Sequence, residues 1–239
     1  MTHIGNCELG KRPRVVVALR DGVPRREVES ALAAGADIIE LRVDLFSSLE
    51  PGFPEAECGR FTGIPRLGTL RCAAEGGGWR GSEEERLACF NAILPHVEAV
   101  DIELSATDIL DRVVEAAHDA GKTVIGSFHD FAKTPDDAHL EETAARADRA
   151  GVDILKVAAH CATLEDLRRL AAFTLRREGR PAAVIGMGPA GMPSRIFFPL
   201  LGSMLAYTFL GTPSAPGQLN CADTVKYLSL FCQFTNSPE

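Results

Sequence analysis

Lys156 is a candidate nucleophile because it lies inside an apolar run, VDILKVA. The carboxylate nearest to it in the sequence is Asp153, and side chains alternate along a strand, so Asp153 belongs to the opposite face. A lysine in this position is expected to be desolvated, which favours the neutral amine that can attack a carbonyl carbon. The structural alternative is a lysine that extends its ammonium group to the rim of the fold.

His129 is a candidate acid–base group at the end of another run, GSFHDF. A histidine titrates near neutrality, and it can take a proton from carbon next to a carbonyl and pass it to a leaving oxygen. Glu75, beside the glycines at 76–78, could orient the imidazole. The alternatives are a histidine that caps a loop carbonyl and a solvated loop acid. The set predicts proton transfer beside a reactive amine.

Arg42, Arg71 and Arg195 predict a small anionic or polyhydroxylated substrate, because a guanidinium group holds a carboxylate through two parallel hydrogen bonds. Structural salt bridges are the alternative for these arginines. The loop at 211–218 is rich in Gly, Pro and Ser, and it predicts a lid with Ser214 and Gln218 as substrate contacts.

The sequence supports neither a metal nor a dinucleotide cofactor. It contains no H-x-H, H-E-x-x-H or C-x-x-C pattern, and its seven cysteines are widely spread. The run GMGPAG (186–191) matches G-x-G-x-x-G, but no acidic residue follows about 20 positions later. We therefore expect catalysis without either group.

Short, nearly continuous apolar runs alternate with amphipathic helical segments, as in parallel strands that are covered on both faces. The predicted strands are 14–20, 37–43, 66–72, 98–104, 122–128, 152–158, 182–188 and 204–210. The phrases AGADIIEL and AGVDILKV indicate a repeated strand–helix unit, in which Glu40 and Lys156 occupy equivalent places. This pattern predicts a (β/α)₈ TIM barrel, with an open doubly wound sheet as the alternative.

Polar residues recur at the ends of the predicted strands. In a barrel these strand ends meet at one mouth, where the active sites of such folds lie. The residues are Glu40, Arg42, Arg71, Glu75, Asp101, Glu103, Ser127, His129, Asp130, Lys156, Ser194, Arg195, Ser214 and Gln218.

The length of 239 residues, with 46% hydrophobic residues, predicts one catalytic domain over 1–239. Residues 1–12 are expected to form a hairpin that closes the bottom of the barrel, and 235–239 a flexible tail.

The net charge of −8 argues against nucleic-acid and anionic membrane partners. The most apolar stretch, 196–210, is too short to span a bilayer, and no signal peptide is visible. These features predict a cytoplasmic protein.

Six short blocks, in order along the chain, together resemble type I 3-dehydroquinate dehydratases. They are ELRVD (40–44), TLRCAAEGGG (69–78), SFHDF-x-x-TP (127–135), ILKVA (154–158), MG-x-x-G-x-x-SR (187–195) and SAPGQ (214–218). The resemblance implies a (β/α)₈ barrel, usually a homodimer, that works in the shikimate pathway without metal or organic cofactor. It implies dehydration of 3-dehydroquinate to 3-dehydroshikimate, a step toward chorismate and the aromatic amino acids.

The resemblance also implies roles for single residues. Lys156 would form a Schiff base with the substrate ketone, His129 would remove the C2 proton and protonate the departing hydroxyl, and Glu75 would hold His129. The expected binding residues are Arg195 for the carboxylate, Glu40, Arg42 and Arg71 for hydroxyl groups and positioning, Ser214 and Gln218 in the lid, and Met187 and Tyr207 as apolar wall.

Two other functions use the same features. A class I aldolase would also employ a strand lysine in a barrel, with a phosphorylated substrate and carbon–carbon cleavage. A barrel that only binds a hydroxylated acid would need neither the lysine nor the histidine. Ala18 and Ile185 stand where relatives often carry serine and methionine. The resemblance therefore does not specify the small contacts that these two side chains make in the pocket.

Overall fold

The computed structural model describes residues 2–211 and 218–231, which form ten strands and nine α-helices. The strands are β1 (His3–Ile4), β2 (Cys7–Glu8), β3 (Arg14–Leu19), β4 (Ile38–Arg42), β5 (Arg66–Thr69), β6 (Ala99–Glu103), β7 (Thr123–Asp130), β8 (Ile154–His160), β9 (Ala182–Met187) and β10 (Leu205–Phe209). The helices are α1 (Arg25–Ala33), α2 (Phe53–Gly59), α3 (Glu83–Ile93), α4 (Leu110–Asp119), α5 (Asp137–Ala150), α6 (Leu164–Arg176), α7 (Gly188–Gly191), α8 (Ser194–Leu200) and α9 (Cys221–Phe231).

The strands β3 to β10 form one parallel sheet that is nearly closed into a barrel. Their order is β10-β3-β4-β5-β6-β7-β8-β9, so the last strand lies beside the first. At the seam between β9 and β10 the Met204 amide donates to the Ala182 carbonyl at 2.8 Å. The predicted TIM barrel is confirmed, and the doubly wound alternative is wrong because its sheet would have two open edges.

The helices begin where local side chains satisfy the free amide groups of the first turn. Ser82 opens α3 by accepting a hydrogen bond from the Glu85 amide at 3.2 Å, and the Glu85 carboxylate accepts the Ser82 amide in return. Asp136 opens α5 in a similar way through the His139 amide. Acidic residues also lie in the first turn of both helices, where the helix dipole favours negative charge.

Alternate residues of each barrel strand divide the core into two layers. The larger layer lies between strands and helices and includes Leu155 and Phe173. The inner layer includes Ile38, Leu67 and Ile125, and the hairpin β1–β2 packs Ile4 and Cys7 against it. Arg14 and Thr123, at the starts of β3 and β7, donate hydrogen bonds to backbone carbonyls of this hairpin.

No helix in the described ranges is long and apolar enough to cross a membrane.

The loop after β5 folds back on its own strand, and this brings Glu75 over the barrel mouth. Residues Ala73–Glu75 form a 3₁₀ turn, and Gly76 follows with a φ of 77°. A Cβ atom on Gly77 would lie 2.0 Å from the Arg71 carbonyl oxygen. Only glycine, which has no Cβ atom, lets the backbone at position 77 lie this close to the Arg71 carbonyl group.

We expect Gly77→Ala to lower the free energy of unfolding by about 1–3 kcal/mol, because the loop must move to relieve the overlap. Gly59→Ala is the control, since its added Cβ would lie 3.6 Å from the His96 ring, an ordinary contact. Urea unfolding measures both. Equal midpoints for Gly77→Ala and wild type would contradict the tight packing of this loop.

Candidate active site

One cleft at the carboxyl-terminal end of the barrel collects the predicted residues. It encloses about 530 Å³ of space, part of which is open solvent, and charged side chains make up much of its lining. The predicted residues that line it are Glu40, Arg42, Arg71, Glu75, His129, Lys156, Met187, Arg195, Tyr207 and Gln218. Ser214 lies outside the described residues. Thr69, Gly76, Ala158 and Ile185 complete the lining.

Lys156 lies on β8 with its amine inside the cleft and only 5% of the residue exposed. Its Nζ donates to Asp101 Oδ2 at 2.8 Å, lies 3.6 Å from Glu40 Oε1, and is 4.0 Å from the centre of the Tyr207 ring. The expectation of burial is therefore confirmed, and the amine also has two carboxylate neighbours that the local sequence around it does not show. Asp101 and Glu40 come from other strands and reach the amine across the barrel.

Asp101 links the amine to a second cation. Its Oδ1 accepts hydrogen bonds from Arg71 at 2.7 Å and from Ser127 at 2.6 Å, while Oδ2 accepts from Lys156. Burial alone would raise the pKa of this carboxyl, but the charges of Arg71 and Lys156 outweigh burial and hold the pKa well below its usual range. Asp101 is therefore a fixed negative charge beneath the amine.

His129 is held by Glu75 at two points. Oε2 of Glu75 lies 3.0 Å from Nδ1 of His129 and accepts the backbone amide of the same residue at 2.9 Å. Ser105 donates to Oε1 of Glu75 at 2.5 Å. If Nδ1 donates to Glu75, Nε2 is the ring atom left for proton transfer.

Burial and two cations set the charge of this pair. Burial lowers the pKa of His129 well below its usual value, and the charges of Arg71 and Lys156 act in the same direction. Burial also raises the pKa of Glu75, against the hydrogen bond from Ser105 and the charge of Arg71. This direction differs from the near-neutral titration expected for His129, because the sequence does not show the two cations that face the ring.

The three arginines differ in what they bind within the protein. Arg42 donates two hydrogen bonds to Asp44, at 2.9 and 2.8 Å. The structural salt bridge named as the alternative is therefore present, and it uses part of the hydrogen-bonding capacity of Arg42. Arg71 is engaged with Asp101 and with Ser127 at 2.5 Å. Both nevertheless line the cleft.

Arg195 lies in the first turn of α8 and lines the cleft from the side of β9. Burial lowers the pKa of Arg195 to about 10, so the group remains a cation at neutral pH. It is buried and positively charged, which suits it to hold an anionic group.

Sequence reasoning missed two polar groups near the reactive residues and undervalued a third. Thr69 donates to Glu40 Oε1 at 2.9 Å and so orients that carboxylate toward the amine. Ser105 orients Glu75, but it lies in a loop with no motif to mark it. Asp101 was visible as a strand-end carboxylate, and its place in the apolar run AVDIE was the signal that it is buried and paired.

The chain was compared with known families and proteins. A sequence model described as type I 3-dehydroquinase matches residues 17–234. The chain belongs to the type I 3-dehydroquinase family. A 3-dehydroquinate dehydratase of Methanococcoides burtonii is 36% identical over 96% of this chain and 99% of its own length. That of Methanosarcina acetivorans is 37% identical, with the same coverage.

Solved structures of the family share the fold over nearly the whole chain. A 3-dehydroquinate dehydratase from Geobacillus kaustophilus gives a TM-score of 0.90 at 27% identity, covering 99% of this chain and 97% of its own. A type I 3-dehydroquinate dehydratase from Clostridium difficile, solved with covalently modified comenic acid, gives 0.83 at 27% identity, covering 96% of each chain. The cleft described above therefore lies in a dehydroquinase barrel.

We expect the His129 ring to titrate below pH 6.5, because its burial and the charges of Arg71 and Lys156 all disfavour the imidazolium. The pH dependence of the ring chemical shifts in NMR spectra measures this, with His129→Gln to assign the signal. A midpoint above pH 6.5 would mean that the Glu75 carboxylate outweighs these effects.

Proposed function

We propose that this protein dehydrates 3-dehydroquinate to 3-dehydroshikimate through a Schiff base at Lys156, with His129 as the general acid and base. The observation that carries the proposal is the buried Lys156 amine, which shares one cleft with His129 and Arg195. Family membership supplies the substrate, since the curated relatives are named 3-dehydroquinate dehydratases.

The charge distribution of the cleft suits a polyhydroxylated keto acid. Arg195, buried at one side, would bind the substrate carboxylate, while Glu40 and the free face of Arg42 would contact hydroxyl groups. Met187 and the Tyr207 ring would pack against the carbon ring, and Gln218 would contact the substrate. The resemblance to the family adds Ser214 as a further substrate contact in this proposal. The small-molecule substrate is thus held by charge on one side and by apolar contacts on the other.

The first step joins the amine to the ketone. Lys156 must lose a proton before it attacks, and His129, held largely neutral, is a base that lines the same cleft. The amine then adds to the carbonyl carbon, His129 returns the proton to the carbinolamine hydroxyl, and this group leaves as water to form a protonated imine. The family structure with covalently modified comenic acid supports a covalent route in such barrels.

The second step removes the elements of water from the ring. The positive imine withdraws electrons and acidifies the neighbouring C2–H, so that His129 can take this proton and leave an enamine. The enamine electrons then expel the hydroxyl group, which His129 protonates as it departs. Water finally hydrolyses the imine and releases Lys156. Asp101 and Glu40 offset the positive charge of the imine nitrogen throughout.

The place of the enzyme in the shikimate pathway, the homodimer and the cytoplasmic location are part of this proposal. They rest on the resemblance to the family and on the composition of the chain.

We expect Lys156→Ala to abolish the mass adduct that borohydride fixes with 3-dehydroquinate and to lower kcat by at least about 10³-fold, because no other amine replaces the nucleophile. Mass spectrometry detects the adduct, and the ultraviolet absorbance of the conjugated product follows turnover. Lys122→Ala, outside the cleft, is the control and should still be labelled.

Labelling that persists in Lys156→Ala would assign the reaction to another amine. Turnover of a sugar phosphate by the wild-type chain, with no enone from 3-dehydroquinate, would favour the aldolase alternative instead.

We expect His129→Ala to lower kcat by about 10²–10⁴-fold, since general acid–base groups contribute factors of this size. The imine should still form slowly, so the borohydride adduct should accumulate while the enone absorbance rises very little. His118→Ala, whose ring is exposed and pairs with Asp153, serves as the control. Near-normal turnover in His129→Ala would remove this residue from the mechanism.

A further inference from the structure

A row of alternating charges leads from the cleft through the barrel wall to helix α3. Lys156 contacts Asp101 at 2.8 Å, Asp101 contacts Arg71 at 2.7 Å, and Arg71 contacts Glu103 at 3.3 Å. Glu103 in turn binds Arg86 on α3. No side chain in this row is more than 6% exposed, so solvent screens these interactions weakly.

Arg86 ends the row outside the cleft. It is the largest of the fully buried side chains in the described part of the chain, and it does not line the cleft. Its Nη2 binds Glu103 Oε2, its Nη1 lies 3.4 Å from the half-exposed Glu83, and its guanidinium lies 6.0 Å from the centre of the Phe90 ring. A buried ion pair such as Arg86–Glu103 contributes little net stability, because the cost of desolvating both charges offsets their attraction. The specific contribution of Arg86 is a fixed positive charge beside Glu103.

Glu103 is shared between two arginines. Its Oε1 accepts a hydrogen bond from the Cys72 amide at 2.7 Å and lies 3.3 Å from Arg71. Its Oε2 forms an ion pair with Arg86. Arg86 thus neutralises Glu103 and leaves Arg71 on the closer Asp101. Without Arg86, the buried charge of Glu103 would draw Arg71 away from Asp101. Asp101 would then hold Lys156 as its sole cation and would bind the ammonium more tightly.

We propose that Arg86 is a positioning residue for the amine chemistry: by holding Glu103 it keeps Arg71 on Asp101, and so limits how firmly Asp101 retains Lys156. The inference rests on the proposed Schiff-base function. Arg86 touches neither the substrate nor Lys156, and it acts only through the two intervening side chains.

The test measures how fast the Lys156 adduct forms. Each variant is mixed with 3-dehydroquinate, quenched with borohydride at increasing times, and analysed by mass spectrometry, with kcat and KM measured in parallel. Arg86→Gln should slow adduct formation by at least about tenfold and leave KM within about threefold, because the proposed substrate contacts of Arg195, Glu40 and Arg42 would be unchanged. Arg86→Lys keeps the charge and should recover most of the rate.

A charge-balanced double variant separates positioning from a role in stability. In Arg86→Gln/Glu103→Gln the carboxylate that would draw Arg71 is gone, and the glutamine oxygen can still accept the Cys72 amide. Adduct formation should return to within about threefold of wild type. Arg112→Gln is the matched control, since it removes an exposed arginine of α4 that pairs with Glu84 of α3, the helix that carries Arg86. The rate of adduct formation in this variant should not change.

The outcomes are distinct. A folded Arg86→Gln variant that forms the adduct at the wild-type rate overturns the inference, as does a folded double variant that is as slow as the single one. If Arg86→Gln does not fold, the adduct is measured in Arg86→Lys and in the double variant. Either of these variants, if folded, overturns the inference by forming the adduct at least about tenfold more slowly than wild type. A wild-type chain that forms no adduct overturns the proposed function, and this inference with it.

Discussion

The buried carboxylate of Asp101 is the interaction on which the site depends. A barrel interior excludes water, so a lysine can remain inside only if its charge is balanced by groups that are themselves fixed. Asp101 balances Lys156 on one oxygen and Arg71 on the other, and Ser127 holds the carboxylate in place. The geometry of the amine is therefore set by side chains from several strands at once.

The proton-transfer side of the cleft depends on a loop in the same way. Glu75 belongs to a 3₁₀ turn after β5, and the tight approach of Gly77 to the Arg71 backbone fixes where this turn lies. The two hydrogen bonds from His129 to one carboxylate oxygen then align the ring. Arg71 thus serves both halves of the site, through its side chain at Asp101 and through its carbonyl oxygen beneath the loop.

Much of this could be predicted from the sequence, because the signals were local. Nearly continuous apolar runs predicted strands within a few residues of their observed bounds. Contacts across the barrel could not be predicted in this way. Which strand faces Lys156 depends on barrel closure and register, so Asp101 was visible as a polar residue but not as the partner of the amine. The lowered pKa of His129 was hidden for the same reason, since Arg71 lies 58 positions away in sequence.

The seam between β9 and β10 distinguishes one side of the barrel from the rest. There the ladder of backbone hydrogen bonds is replaced by the Met204–Ala182 contact and by Ser203, whose hydroxyl accepts the Val184 amide at 3.0 Å. Fewer hydrogen bonds join β9 to β10 than join the other neighbouring strands, so we expect the barrel to open at this seam more readily than elsewhere. Met187 ends β9 and Tyr207 lies in β10, so a small movement at the seam would change the width of the apolar wall between them. The strands that carry Asp101, His129 and Lys156, β6 to β8, are joined by continuous backbone pairing and would keep their register.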